Sequence, residues 1–277
     1  MSRLWVDLID RKIATANPWT RAREVLPPVE DRDPEWRVES IFTHEEIEAL
    51  IFDERIPEPR RVVNALLALA GLRIGEAAAL RRRHYDASYR PLGRLMVAWS
   101  NDRRTKTKDT RLIPVHPALG AVLDCWLVSG WEVVFGRAPG PDDLIVPGPP
   151  GPQWNDKTFR VRFQNDLDRL GLRVRAGTMG GKRSPHGLRA SFLTLAVDDG
   201  ASFDLIDRVL HRGRGRNSGQ LYLRPSWEAS CREVEKLRIG GTDYQATTER
   251  WLKASPERDS RTYLVAAEGV EPPTLRI

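Results

Sequence analysis

Hydrophobic spacing changes period along this chain and then changes back. Val62, Leu66, Leu69 and Ala70 recur at helical intervals and share one face. The stretches Arg94-Leu-Met-Val-Ala-Trp99 and Thr110-Arg-Leu-Ile-Pro-Val115 then read as strands. The polar loop Asn101–Asp109 joins them into a long hairpin. Helical spacing resumes at Pro117. The pattern predicts a mainly α chain with a small antiparallel β-hairpin or sheet, an α+β fold.

Local signals place the helices. Thr43-His-Glu-Glu46 is a capping box that opens a helix through Phe52. Pro59 opens the next, which Gly71 ends or bends, and an alanine-rich helix covers Gly75–Arg83. Further helices are expected over 117–127, 155–170, 186–198, 203–210 and 227–237, with a short one at 220–224. Residues 137–153, 173–184 and 211–219 are rich in glycine, with proline or basic residues, and read as loops. Residues 1–38 hold one short apolar stretch and then a linker. Residues 39–240 form the main domain, and residues 241–277 lose periodicity and read as a disordered tail.

The charge balance, 44 Lys and Arg against 38 Asp and Glu, gives +6. Its distribution says more than its size. Basic residues cluster at Arg81-Arg82-Arg83, at Arg103-Arg104 with Lys106 and Lys108, at Lys182-Arg183, and from Arg208 to Arg216, which includes Arg212 and Arg214. Such patches are the footprint of a polyanion partner, although solvated helix faces produce them too. The two cysteines, Cys125 and Cys231, lie in apolar helical patterns, as buried thiols do in a reducing cytoplasm. They form no Cys–His cluster at metal spacing. No apolar run approaches the roughly 20 residues of a membrane helix, and the N-terminus lacks a signal-peptide pattern. A cytoplasmic protein without a membrane or metal partner is expected.

Several groups suit phosphate chemistry. Arg73, in Gly71-Leu-Arg-Ile-Gly-Glu76, stands at a helix entry beside an acid that can hold it. Lys106 lies at the hairpin tip. His186 and Arg189 are three apart at a helix start, so imidazole and guanidinium can share one phosphate. His211 follows in an Arg-Gly loop, and Tyr222 lies in Gln220-Leu-Tyr-Leu223. Each has a simpler reading alone. Arg73 reads as a surface arginine, Lys106 as an edge-protecting charge, and Tyr222 as amphipathic core.

Taken together, the order Arg, Lys, His-x-x-Arg, His, Tyr resembles the tyrosine recombinases, the phage-type integrases, over about residues 40–237. Gly71-Leu-Arg-Ile-Gly-Glu-Ala-Ala-Ala-Leu80 is similar to that family's first arginine box. Pro185-His-Gly-Leu-Arg-Ala-Ser-Phe192 is similar to its His-x-Leu-Arg box. Three positions depart from the pattern. Val209-Leu210 precedes His211 where Leu-Gly is usual, Tyr222 lies about two residues further on than is common, and Ala190 replaces a basic or polar residue. The resemblance implies a 3′-phosphotyrosine intermediate made without cofactor or metal. In that scheme Tyr222 is nucleophile, His186 general base and Lys106 the acid for the leaving 5′-oxygen. Arg73, Arg189 and His211 stabilise the phosphorane-like transition state, with Glu76 as support. It further implies double-stranded DNA as partner, a monomer in free solution and a homotetramer on paired sites. Ile13-Ala-Thr-Ala-Asn-Pro18 resembles the exit of the family's DNA-clamping core-binding domain, so residues 1–38 are expected to be a remnant of it. Two other readings stay open, a non-catalytic or truncated DNA-binding relic and a phosphate-binding helical protein with chance matches.

Overall fold

A computed structural model describes residues 2–18, 40–101, 103–104, 110–148, 154–173, 183–210, 225–240 and 244–255. Contacts divide the chain into two units, Met1–Glu35 and Trp36–Ile277. In the smaller, helix α1 (Ser2–Asp10) carries Leu4, Val6 and Ile9 exposed.

The larger unit opens as its capping box dictates. The Thr43 N–H donates to Glu46 Oε2 at 2.9 Å and the Glu46 N–H to Thr43 Oγ1 at 3.3 Å, starting α2 (His44–Phe52). Helix α3 (Glu58–Leu69) is buried at every position from Arg61 to Leu69. A helix buried all round belongs at a core's centre, and α3 packs against α2, the helix that starts at Pro117 and the helix that carries His186. Gly71, at φ +58°, ends the run. The alanine-rich segment forms only a short α4 (Ile74–Ala78) and then a 3-10 turn, Arg82–His84, so the helix expected through Arg83 stops early.

The expected strand pair is present. Strand β2 (Arg94–Val97) pairs antiparallel with β5 (Arg111–Pro114), with Leu95 opposite Ile113 and Val97 opposite Arg111. A further strand, β1 (Tyr85–Asp86), lies on the other side of β2 and makes the sheet β1-β2-β5. Between β2 and β5 the short β3 (Trp99–Ser100) and β4 (Arg103–Arg104) form a separate ribbon.

Helix α5 (Pro117–Cys125) does not end near Leu127. It passes through a π turn, Trp126–Gly130, into α6 (Trp131–Phe135) and stops at Gly136, φ +70°. By length and composition the stretch Pro117–Phe135 could cross a membrane, but it is 61% buried inside the protein, with Leu119, Val122, Leu123 and Trp126 in the core. Helices α7 (Asp156–Leu170), α8 (Pro185–Asp198), α9 (Phe203–Leu210) and α10 (Trp227–Glu235) lie where periodicity puts them.

Part of the stretch expected to be a disordered tail is helical, while residues 241–243 and 256–277 lie outside the described residues. Residues Tyr244–Lys253 form a helix, α11, packed on α5. Trp251 is fully buried, edge-on to Phe52 and 4.5 Å beneath the Arg61 guanidinium. Arg61 Nη2 donates to the Ala254 carbonyl at 2.8 Å and to Ser255 Oγ at 2.7 Å, closing the helix C-terminus. At the other end the Tyr244 hydroxyl donates to Asp124, whose second oxygen accepts from Tyr85, at 2.7 and 2.8 Å. One buried tryptophan and a set of polar ties hold α11, a combination that apolar periodicity does not register.

Candidate active site

The loop after α3 shapes the site. Gly71 adopts a left-handed conformation, and a Cβ there would lie 2.1 Å from Leu210 Cδ2 and 2.9 Å from Phe192. Only glycine satisfies both the backbone and the space. Two residues on, Arg73 is extended and caps α4. Its N–H donates to Glu76 Oε2 at 2.9 Å and its Nη1 to Glu76 Oε1 at 3.2 Å, while its side chain stays 50% exposed. The next glycine, Gly75, lets the hairpin approach. A Cβ would lie 2.6 Å from Ser100 Oγ, and the Asn101 N–H donates to the Gly75 carbonyl at 2.8 Å. The ribbon leading towards Lys106 is thereby seated on the helix that Arg73 caps.

Arg189 comes from the second turn of α8 and is only 3% exposed. Its Nη1 donates to the Gly71 carbonyl and its Nη2 to the Leu210 carbonyl at 3.0 Å, and Nη1 lies 3.8 Å from Glu76 Oε2. Arg189 therefore ties the Arg73 loop to the end of α9, directly before His211. Leu210, where the resembled pattern has glycine, is buried and fills the space that Gly71 leaves.

A third guanidinium completes the cluster, and the sequence reading did not count it among the site residues. Arg111, on β5, grips Glu76 with both nitrogens at 2.9 and 2.6 Å and is itself buried. The available signal was alternation. Arg111, Ile113 and Val115 point to one face of a half-buried strand, and a charge at an inward position needs a buried partner.

Three arginines thus surround one carboxylate, an excess of positive charge beside a surface that Arg73 opens to solvent. Burial alone raises the Glu76 carboxyl, but the Arg111 fork, the Arg73 N–H and the Arg189 charge together hold it down at about 2. Arg189 is lowered to about 10 by burial first and then by Arg73 and Arg111, with Glu76 opposing. The cluster therefore holds a net positive charge at a fixed place beside the half-exposed Arg73.

The remaining expected residues fall as follows. His186 is exposed in the first turn of α8, one turn before Arg189. Lys106, His211 and Tyr222 lie outside the described residues, as do Lys108, Lys182, Arg212 and Arg214. Arg103 and Arg104 are described by their backbone in β4 alone. Arg81 is partly exposed, and its Nη1 donates to the Asp142 carbonyl. Arg183, expected at a DNA surface, is corrected. It is 3% exposed, donates to both Glu46 oxygens at 2.8 and 2.9 Å and to the Leu172 carbonyl, and lies over the Phe42 ring. Its burial and its acidic partner make it a structural tie. Among the described residues, no group of three or more His, Cys, Asp and Glu could hold a metal ion.

No protein-family model matches the chain, and no curated protein matches it. Solved structures do. The integrase of transposon Tn1549, in complex with transposon right end DNA, is 16% identical with a TM-score of 0.53, over 78% of this chain and 69% of that one. The same integrase with circular intermediate DNA gives 0.50 at 16% identity, over 83% and 74%. The integrase of mycobacterium phage Brujita gives 0.48 at 18%, over 89% and 73%. The mainly helical architecture, the small antiparallel sheet and the Tn1549 likeness together give this chain the fold of a tyrosine-recombinase catalytic domain.

Proposed function

We propose that the protein is a site-specific DNA recombinase or integrase that cleaves and rejoins strands through a 3′-phosphotyrosine. The observation that carries the reading is the convergence of Arg73, Arg111 and Arg189 on Glu76, with Arg73 half exposed. Nothing in the core requires three guanidiniums around one acid, whereas a scissile phosphate uses the surplus charge.

In the proposed reaction the Tyr222 oxygen attacks phosphorus and loses its proton to His186. The bond from phosphorus to the 5′-oxygen breaks, and Lys106 gives that oxygen a proton. Arg73 faces the non-bridging oxygens directly, and His211 adds a hydrogen bond there. Arg189 supplies charge from behind. Its two terminal nitrogens hold the Gly71 and Leu210 carbonyls, which fixes where that charge stands. Religation runs the same steps backwards with a different 5′-hydroxyl, so bond energy is conserved. Double-stranded DNA is the partner, engaged by the exposed basic residues, and assembly on paired sites is tetrameric. The chemistry needs no cofactor, and the cytoplasm is its place.

The test uses nicked duplexes with randomised core sequence, in which the cleaved segment diffuses away and traps the adduct. Wild-type protein forms a detergent-stable protein–DNA adduct and Tyr222→Phe forms none. No wild-type adduct favours the non-catalytic relic, and an undiminished adduct in the variant excludes Tyr222.

A further inference from the structure

Ser40, Phe42 and Glu46 all contact the turn that presents His186 or the residues on either side of it. The Phe42 N–H donates to Ser191 Oγ at 2.8 Å, and the same hydroxyl donates to the Gly187 carbonyl at 2.9 Å. Gly187 lies flat against the entering chain, since a Cβ there would be 2.5 Å from the Ser40 carbonyl oxygen and 3.1 Å from the Phe42 ring. Arg183, just ahead of the turn, is clamped by both Glu46 oxygens, and its guanidinium lies 4.7 Å above the Phe42 ring. Glu46 is in turn fixed by the Thr43 N–H of the capping box.

Phe42, Ser191 and Arg183 are buried, so these contacts act away from solvent. They bracket the site residues closely. Gly187 follows His186, and Ser191 lies two positions after Arg189. Packing alone would be served by apolar side chains. A buried serine that joins the entering backbone to the first turn of α8 fixes the rotation and height of that turn as well. A reacting constellation needs positioning to within roughly half an ångström.

We propose that the entry segment Ser40–Glu46 sets the position of His186 and Arg189, with Ser191 and Glu46 as positioning residues. The catalytic side of this proposal rests on the strand-exchange reading above.

The full chain carrying Ser191→Ala or Glu46→Gln tests it with two readouts. The second change sits at a partly exposed residue and keeps both an acceptor for Arg183 and a side chain able to cap α2, and thermal unfolding of each variant checks that it is folded. The imidazole Cε1–H resonance of His186, assigned by its loss in His186→Gln, is compared with those of His84 and His116. We expect the His186 resonance to shift in both variants while the other two stay. Single-turnover adduct formation at saturating nicked duplex falls about tenfold, with the half-saturating DNA concentration unchanged. A His186 resonance unmoved in both folded variants overturns the proposal, and so does a moved resonance with an unchanged cleavage rate. Absence of any wild-type adduct sinks the strand-exchange reading, while the resonance still decides whether the entry segment sets the turn.

Discussion

Arg111 meets Glu76 with both arms of its guanidinium, at 2.9 and 2.6 Å, and both side chains are shut from water. The pair joins strand β5 to the helix that Arg73 caps, so the sheet and the candidate active site share one electrostatic joint. Glu76→Ala leaves Arg111 buried without its acid, and such a loss costs about 3–5 kcal/mol. Denaturant titration checks this. A loss below about 1 kcal/mol means that Arg111 finds another partner or water.

Among the groups on which acid acts, His116 and Glu76 are separable by the pH at which each responds. His116 is fully buried at the N-terminus of α5, where Nδ1 accepts from the Ala118 N–H and Nε2–H donates to the Leu237 carbonyl. Burial lowers it from 6.5 to about 4, against the pull of that carbonyl. Between these values the unfolded chain binds a proton that the folded chain refuses, so stability falls as pH falls, by about 3 kcal/mol in all. Glu76 is lowered from 4.5 to about 2, so its contribution is complete above 4.5 and is lost as pH falls towards 2. Unfolding measured from pH 7 to 3 should show both windows. His116→Asn should flatten the upper one, and an unchanged upper slope in that variant removes His116 as its source.

Arg73 and Arg189 separate chemistry from structure. Arg73→Ala removes a half-exposed guanidinium and should lower adduct formation about 10²–10³-fold. Stability should change by less than about 1 kcal/mol. Arg189→Ala removes the donors to two carbonyls in a buried place, so it should lose both activity and about 2–4 kcal/mol. Paired adduct and unfolding measurements distinguish them. Equal destabilisation by both changes contradicts the assignment.

Trp251 anchors α11 against Phe52 and Arg61. Trp251→Ala should cost about 3–5 kcal/mol, against nearly nothing if residues 241–277 were a loose tail. Thermal unfolding decides between the two.

What the sequence made legible follows from the range of each interaction. The Thr43 capping box is local, and so is the two-residue period of β2 and β5; both are seen in the structure. The Gly71-Leu-Arg box could be read because its glycine answers a local backbone demand. Alternation along β5 marks Arg111 as inward-facing, but its partner Glu76, like the Glu46 partner of Arg183, is distant in the chain, so neither pairing could be assigned locally. Helix α11 escaped for a related reason, since its anchors lie on earlier helices: Asp124, Arg61, and Glu58, whose Oε1 accepts from the Trp251 indole N–H at 3.1 Å. The continuation of α5 past Leu127 escaped because a π turn absorbs a shift in register that periodicity reads as an end.

The two hydroxyls that meet at Asp124 carry one more consequence. Tyr85 opens the sheet and Tyr244 opens the last described helix, and one carboxylate joins both. The polypeptide between them is therefore a ring closed without a covalent bond, and joining such distant positions carries an entropic penalty that only the finished fold repays. During synthesis the sheet can form long before Tyr244 leaves the ribosome. The ring cannot close until then, so the larger unit reaches its final state as a whole chain and not in the order in which its residues are made.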